Sequence, residues 1–201
     1  MTTKAETVWI QTHSGERFHL FDPREYEVCL DDIAHSLAMK CRFGGFSRMF
    51  YSVAEHSIRV ADYLKDNGYS KELQLLGLMH DAAEAFLPDF IGPAKEFWFV
   101  DLTDSTGQKK LVPAKDLELL IQCVLFKKFK IRLPTTRESI IVHRADKKLL
   151  ATEKRDVLAE SLVWDEELPP PLSRVIQPME LGRSKRLFLE KFKELTKGEN
   201  E

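Results

Sequence analysis

Hydrophobic positions along the chain repeat with two different periods. Near the N-terminus they alternate: Val8-Trp9-Ile10 and Phe18-His19-Leu20-Phe21 flank His13-Ser14-Gly15-Glu16, the pattern of a short β-hairpin that Asp22-Pro23 closes. From Leu30 the period becomes helical. Leu30, Ile33, Ala34, Leu37 and Cys41 share one face, and Gly44-Gly45 is expected to stop that run. A second helix begins at Ser52-Val53-Ala54-Glu55, where Ser and Glu are spaced to satisfy each other's amides as a capping box. Its inward face holds Val53, His56, Ser57, Val60, Ala61 and Leu64, with Gly68 at the C-terminal cap. A third helix is predicted from near Ser70 through Phe86, ended by Pro88. It is apolar almost all round, as a buried central helix would be. Phe97 to Leu102 and Gln108 to Val112, around Asp104-Ser105-Thr106-Gly107, read as a second hairpin. Leu117, Leu120, Ile121, Val124 and Leu125 mark a fourth helix. Thr135-Thr136-Arg137-Glu138 is a capping box opening a fifth, through Val142, Asp146, Leu149 and Glu153. Pro169-Pro170-Pro171 breaks the chain, and Leu187, Phe188, Phe192 and Leu195 mark a last helix. The fold class expected is mainly α: a single helical domain over residues 1–201 with one or two small β-hairpins.

Composition narrows the chemistry. Of 201 residues, 43% are hydrophobic and 31% charged, which is a globular rather than a disordered profile. A formal charge of −2 argues against a binder that relies on a strongly basic field, so no stable nucleic-acid partner is expected. Lys127-Lys128-Phe129-Lys130 reads instead as the solvated end of the fourth helix. Cys29, Cys41 and Cys123 are odd in number and form no CxxC pair, so a reducing compartment is the default. With no apolar stretch long enough for a membrane and no signal-like N-terminus, the expectation is a soluble cytoplasmic protein.

The informative polar residues lie on the apolar central helix. His80 and Asp81 are adjacent there, and Glu84 follows His80 by four residues, which puts both on one helical face. Burying such groups is costly unless something pairs with them. One explanation is a buried His–carboxylate hydrogen bond. The other is a metal, because imidazole nitrogen and carboxylate oxygen suit divalent ions such as Mn, Co, Fe or Zn. His56 on the inward face of the second helix and Asp146 on that of the fifth supply further ligands. Three helices that each aim His or Asp inward favour the metal. His35 and His143 sit on helices as core or surface residues, and His13 and His19 in the first hairpin.

His56, His80-Asp81 and Asp146 resemble the H…HD…D signature of HD-domain metal phosphohydrolases. The similarity is closest to the 5′-deoxynucleotidase branch, through Cys41-Arg42-Phe43-Gly44-Gly45, Phe50-Tyr51-Ser52-Val53-Ala54-Glu55-His56-Ser57, His80-Asp81-Ala82-Ala83-Glu84 and Asp89-Phe90-Ile91-Gly92-Pro93-Ala94-Lys95. Arg144-Ala145-Asp146 through Leu150-Ala151-Thr152-Glu153 is similar more weakly. The resemblance spans roughly residues 8 to 160. It implies an HD-domain helical bundle in which His56, His80, Asp81 and Asp146 ligate one divalent ion (Co, Mn, Zn or Fe). It further implies Glu84 and Asp89 as catalytic carboxylates, and Arg42, Phe43 and Lys95 as substrate-binding residues. Ser47-Arg48 would reach a second or third phosphate if the substrate were a triphosphate. The chain departs from the pattern at Phe46, where relatives often carry histidine, and between Phe97 and Pro113, which is longer than in the simplest members.

The activity implied is release of phosphate from deoxynucleoside 5′-monophosphates by a homo-oligomeric enzyme. The branch also contains phage enzymes that remove triphosphate from dATP, so a dNTP triphosphohydrolase is the alternative on the same site. A non-catalytic nucleotide-sensing or assembly module is the alternative of another class; it would be marked by a lost dyad or glutamate, and His80, Asp81 and Glu84 are all present.

Overall fold

A computed structural model describes residues 7–88, 94, 96–103, 109–159 and 164–197. Among them are six α-helices and two small antiparallel hairpins, so the chain is mainly α as its periodicity predicts. The helices are α1 (Leu30–Met39), α2 (Val53–Asp66), α3 (Lys71–Met79), α4 (Ala114–Lys128), α5 (Thr136–Asp156) and α6 (Leu181–Thr196). No helix among the described residues is long and apolar enough to cross a membrane. The chain divides into two compact units, Met1–Ser36 with Ala82–Leu133 and Leu37–Asp81 with Pro134–Glu201.

The first unit contains both hairpins. Strands β1 (Trp9–Gln11) and β2 (Arg17–His19) pair with Ile10 opposite Phe18. Phe18 is fully buried and stacks on Phe86, with ring centroids 3.7 Å apart. The turn is fastened by Asp32 of α1, whose carboxylate accepts from the Ser14 amide and hydroxyl at 2.7 and 2.8 Å. Strands β3 (Phe99–Thr103) and β4 (Lys109–Pro113) form the second predicted hairpin, and the chain runs from it directly into α4. Buried Ile121 and Leu125 lie on the inner face of α4, whereas Leu120, grouped with them by spacing, is 44% exposed.

In the second unit α2 packs against α3, α5 and α6. Gly77 lets α3 approach closely: a Cβ there would lie 2.5 Å from Leu64 Cδ1 and 3.3 Å from Val60 Cγ1 of α2. Helix α5 opens with the predicted capping box, in which Thr135 and Glu138 satisfy each other's amides. At α2 only half of the predicted box forms. Ser52 accepts from the Glu55 amide at 3.1 Å, but the fully buried Glu55 carboxylate turns away to Arg59 and to the Met179 amide at 2.7 Å. Residues 172–179 lack regular structure, and their backbone polar groups bond to helix side chains instead. Thr152 Oγ1 accepts from the Leu172 amide, Asp156 from the Ile176 amide, and Arg59 donates to the Gln177 carbonyl.

Two predicted helix ends are corrected. The first helix stops at Met39 rather than at Gly44-Gly45, because Cys41 pairs with Ser52 in an isolated antiparallel bridge just before α2. The Arg42 amide donates to the Tyr51 carbonyl at 2.8 Å, and the Val53 amide to the Lys40 carbonyl at 3.0 Å. The Gly-Gly pair serves a tight left-handed turn instead, with Phe43, Gly44 and Gly45 all at positive φ (58°, 60° and 84°). Each such residue costs about 1–2 kcal/mol when it carries a Cβ, so glycine suits two of the three positions. The central helix likewise ends at Met79 rather than Phe86, followed by a 3₁₀ turn over Ala82–Ala85.

A candidate metal centre in the second unit

Helix α3 ends where its chemistry begins. A continuing α-helix would give the Gly77 carbonyl to the amide of Asp81. The His80 ring takes that carbonyl instead, its Nδ1 donating at 2.8 Å. His80 thereby sits at the helix terminus with Nε2 directed away from its own backbone, and Asp81 follows in the turn. On α2, one turn inside the Ser52 cap, His56 is fully buried. Its Nδ1 donates to Glu153 Oε1 on α5 at 2.6 Å. Asp146 lies two turns earlier on α5, next to buried Ala145 and in line with Val142 and Leu149.

These constraints bring the remaining ring nitrogens together. His56 Nε2 is 3.3 Å from His80 Nε2 and 3.1 Å from Asp146 Oδ1. Asp81 Oδ2 lies 3.2 Å from His80 Nε2 and 3.8 Å from His56 Nε2. His56, His80 and Asp146 form a group able to hold a metal ion, with ligand atoms within 4.8 Å of one another. The donor set fits one. Each Nδ1 faces an acceptor, so in the neutral ring each Nε2 presents a lone pair, and the carboxylates add only lone pairs. Imidazole and carboxylate together suit a divalent first-row cation.

The electrostatics agree. Burial pushes His80 down, but the Asp81 carboxylate outweighs it and holds the imidazolium form up to about 9. His56 is raised as well, against burial and the Arg42 charge, by Glu153 and Asp146. Burial would raise the carboxylates, yet His80, His56 and Arg42 hold Asp81 well below the usual range, and the His56 hydrogen bond holds Asp146 at about 2. A field that keeps protons on imidazoles also favours a cation, and ion and protons compete for the same Nε2 lone pairs.

The other predicted residues fall in different places. Arg42 lies behind the ligand candidates: its Nη2 donates to Glu153 Oε2 at 3.2 Å, and its Nη1 is 3.6 Å from Asp81 Oδ2. Phe43 is half-buried, its ring centroid 5.4 Å from the Arg42 guanidinium carbon. Arg48 donates to the Asp156 carbonyl. Glu84 is buried in the 3₁₀ turn of the first unit, and the α-helical register expected to carry it onto the His80 face ends at Met79. Asp89 and Lys95 lie outside the described residues. Sequence reasoning gave no role to Glu153 or Tyr51, whose hydroxyl donates to Glu153 Oε1 at 2.9 Å. A signal existed for Glu153: it falls seven residues after Asp146 and four after Leu149, a carboxylate on an inward-facing stripe.

Fold and site define a mainly helical protein with a candidate metal centre built from two histidines and an aspartate. The chain is 30% identical over 192 residues to the uncharacterized protein YfdR of Escherichia coli K12, covering 94% of this chain and 96% of that one. It belongs to the same family as YfdR. It is also 40% identical over 91 residues to an uncharacterized protein of Rhodobacter capsulatus, covering 43% of this chain and 46% of that protein. No protein-family model matches the sequence.

Proposed function

We propose that the protein is a metal-dependent phosphohydrolase of the HD-domain type, acting on deoxynucleotides with 5′-monophosphates preferred. The observation that carries the reading is the convergence of His56 Nε2, His80 Nε2 and Asp146 Oδ1 on one point, with Asp81 beside them. These are the four residues that the HD-type signature singles out from widely separated parts of the chain. A divalent ion (Co, Mn, Zn or Fe) would supply Lewis acidity toward phosphorus and lower the pKa of water. The chain's part is to present the lone pairs: Glu153 and the Gly77 carbonyl fix both imidazoles with Nδ1 protonated and Nε2 open, and Asp81 and Asp146 bring carboxylate oxygens beside them. The resemblance gives Glu84 and Asp89 the proton transfers and Lys95 the phosphate charge.

The test is release of phosphate and of tripolyphosphate from a panel of nucleotides, with several divalent ions, by the full chain. Phosphate from deoxynucleoside monophosphates is the expected result. Glu84→Ala should retain the ion and lose turnover by roughly 10²–10⁴-fold. Tripolyphosphate from dATP without phosphate from dAMP would replace the monophosphate by the triphosphate as substrate, and no release from any nucleotide would leave a non-catalytic module.

A further inference from the structure

A second layer of polar groups stands behind the ligand candidates. Glu153 is fully buried, and three donors converge on its carboxylate: His56 Nδ1 at 2.6 Å and the Tyr51 hydroxyl at 2.9 Å on Oε1, and Arg42 Nη2 at 3.2 Å on Oε2. The other guanidinium nitrogen, Nη1, faces Asp81 Oδ2 at 3.6 Å. A continuous chain of contacts, Asp81–Arg42–Glu153–His56, therefore joins two ligand candidates that lie on different elements.

We propose that Arg42 and Glu153 form a positioning brace that sets how tightly this centre holds a divalent ion. The proposal rests on the metal reading above, and it moves Arg42 from the substrate to the support of the ligands. Three features argue for it. An ionised carboxylate on His56 Nδ1 fixes which ring nitrogen carries the proton and makes Nε2 a better donor to a cation. The Arg42 side chain is only 12% exposed, with one Nη bonded to Glu153 and the other turned toward Asp81, whereas a clamp for incoming phosphate would turn its fork outward. Reaching both carboxylates at once needs the planar, two-pronged geometry of guanidinium, which a lysine ammonium lacks.

Calorimetric titration of Co²⁺ into the chelator-treated full chain tests the brace, with the visible spectrum of the Co²⁺ form reporting ligand geometry. Glu153→Gln and Arg42→Lys should each weaken Co²⁺ binding by roughly 10–100-fold and alter the spectrum. The double variant should lose little more than the weaker-binding single variant, because the two residues act as one unit. Thermal unfolding of the ion-free variants checks that they fold; if Glu153→Gln does not, Arg42→Lys, which keeps the charge and most of the stem, decides alone. A folded Arg42→Lys protein with wild-type Co²⁺ affinity and spectrum would overturn the brace, more so if its only defect were a raised KM for nucleotide. Failure of the wild-type chain to bind Co²⁺ would sink the metal reading itself.

Discussion

His13 and His35 lie with ring centroids 3.5 Å apart and planes 6° from parallel, whereas His56 and His80 sit 5.2 Å apart with their rings tilted by 53°. Imidazole lone pairs lie in the ring plane, so an ion between stacked, parallel rings cannot lie in both planes. The first pair packs face to face at a hairpin turn, where His13 is exposed. The second meets edge to edge, each ring held from behind by an acceptor and its open nitrogen ringed by carboxylates. Contact between two histidines is therefore not enough for a candidate metal site; the groups that orient them make the difference.

That contrast is broken most severely by removing a ligand candidate. His56→Ala or Asp146→Ala should abolish stoichiometric metal binding, beyond the roughly 10–100-fold loss typical of supporting residues. Elemental analysis of the purified variants measures it, and the His13→Ala/His35→Ala double variant should retain the wild-type ratio. Gly77→Ala acts on the backbone approach that lets α3 present His80 to α2. Its methyl would meet Leu64 Cδ1 at 2.5 Å, so we expect a stability loss of about 1–3 kcal/mol in denaturant titration.

Acid sharpens the comparison further. Burial opposes ionisation of Glu153, but Arg42 and His56 hold its pKa at about 2, below the ordinary 4.5. A depressed carboxylate stabilises the fold above its unfolded pKa, and that contribution fades as pH falls from about 4.5 through about 2. Glu153→Gln should lack that part of the acid dependence in equilibrium unfolding across this window, and an unchanged profile would contradict the assignment. His13→Ala should have the smallest effect, within about 0.5 kcal/mol, as for surface substitutions generally.

Local rules made much of this architecture legible. Period 3.6 marked α2, α4 and α5, the Thr135–Glu138 box marked the start of α5, and inward-facing His and Asp marked the group that could hold a metal ion. The failures were side chains that chose a distant or an unexpected partner. His80 took the Gly77 carbonyl and ended a helix that its composition would have prolonged to Phe86. Glu55 had the right spacing for a capping box, yet its carboxylate went to the Met179 amide, 124 positions away. Glu153 carried a signal that becomes persuasive only once His56, Tyr51 and Arg42 are known to surround it.

The irregular stretch over residues 172–179 has a consequence for where the chain can be divided. Its attachments to α2 and α5 are distributed along its length, at Leu172 on one side and at Ile176, Gln177 and Met179 on the other. Covalent continuity there and physical cohesion are separate matters. A peptide bond opened between Arg174 and Val175 would leave a C-terminal piece still held by three of these bonds and by the packing of α6 against α2 and α3. Two fragments expressed apart and split at that bond should find each other, which makes this segment a natural seam for a reconstituting pair.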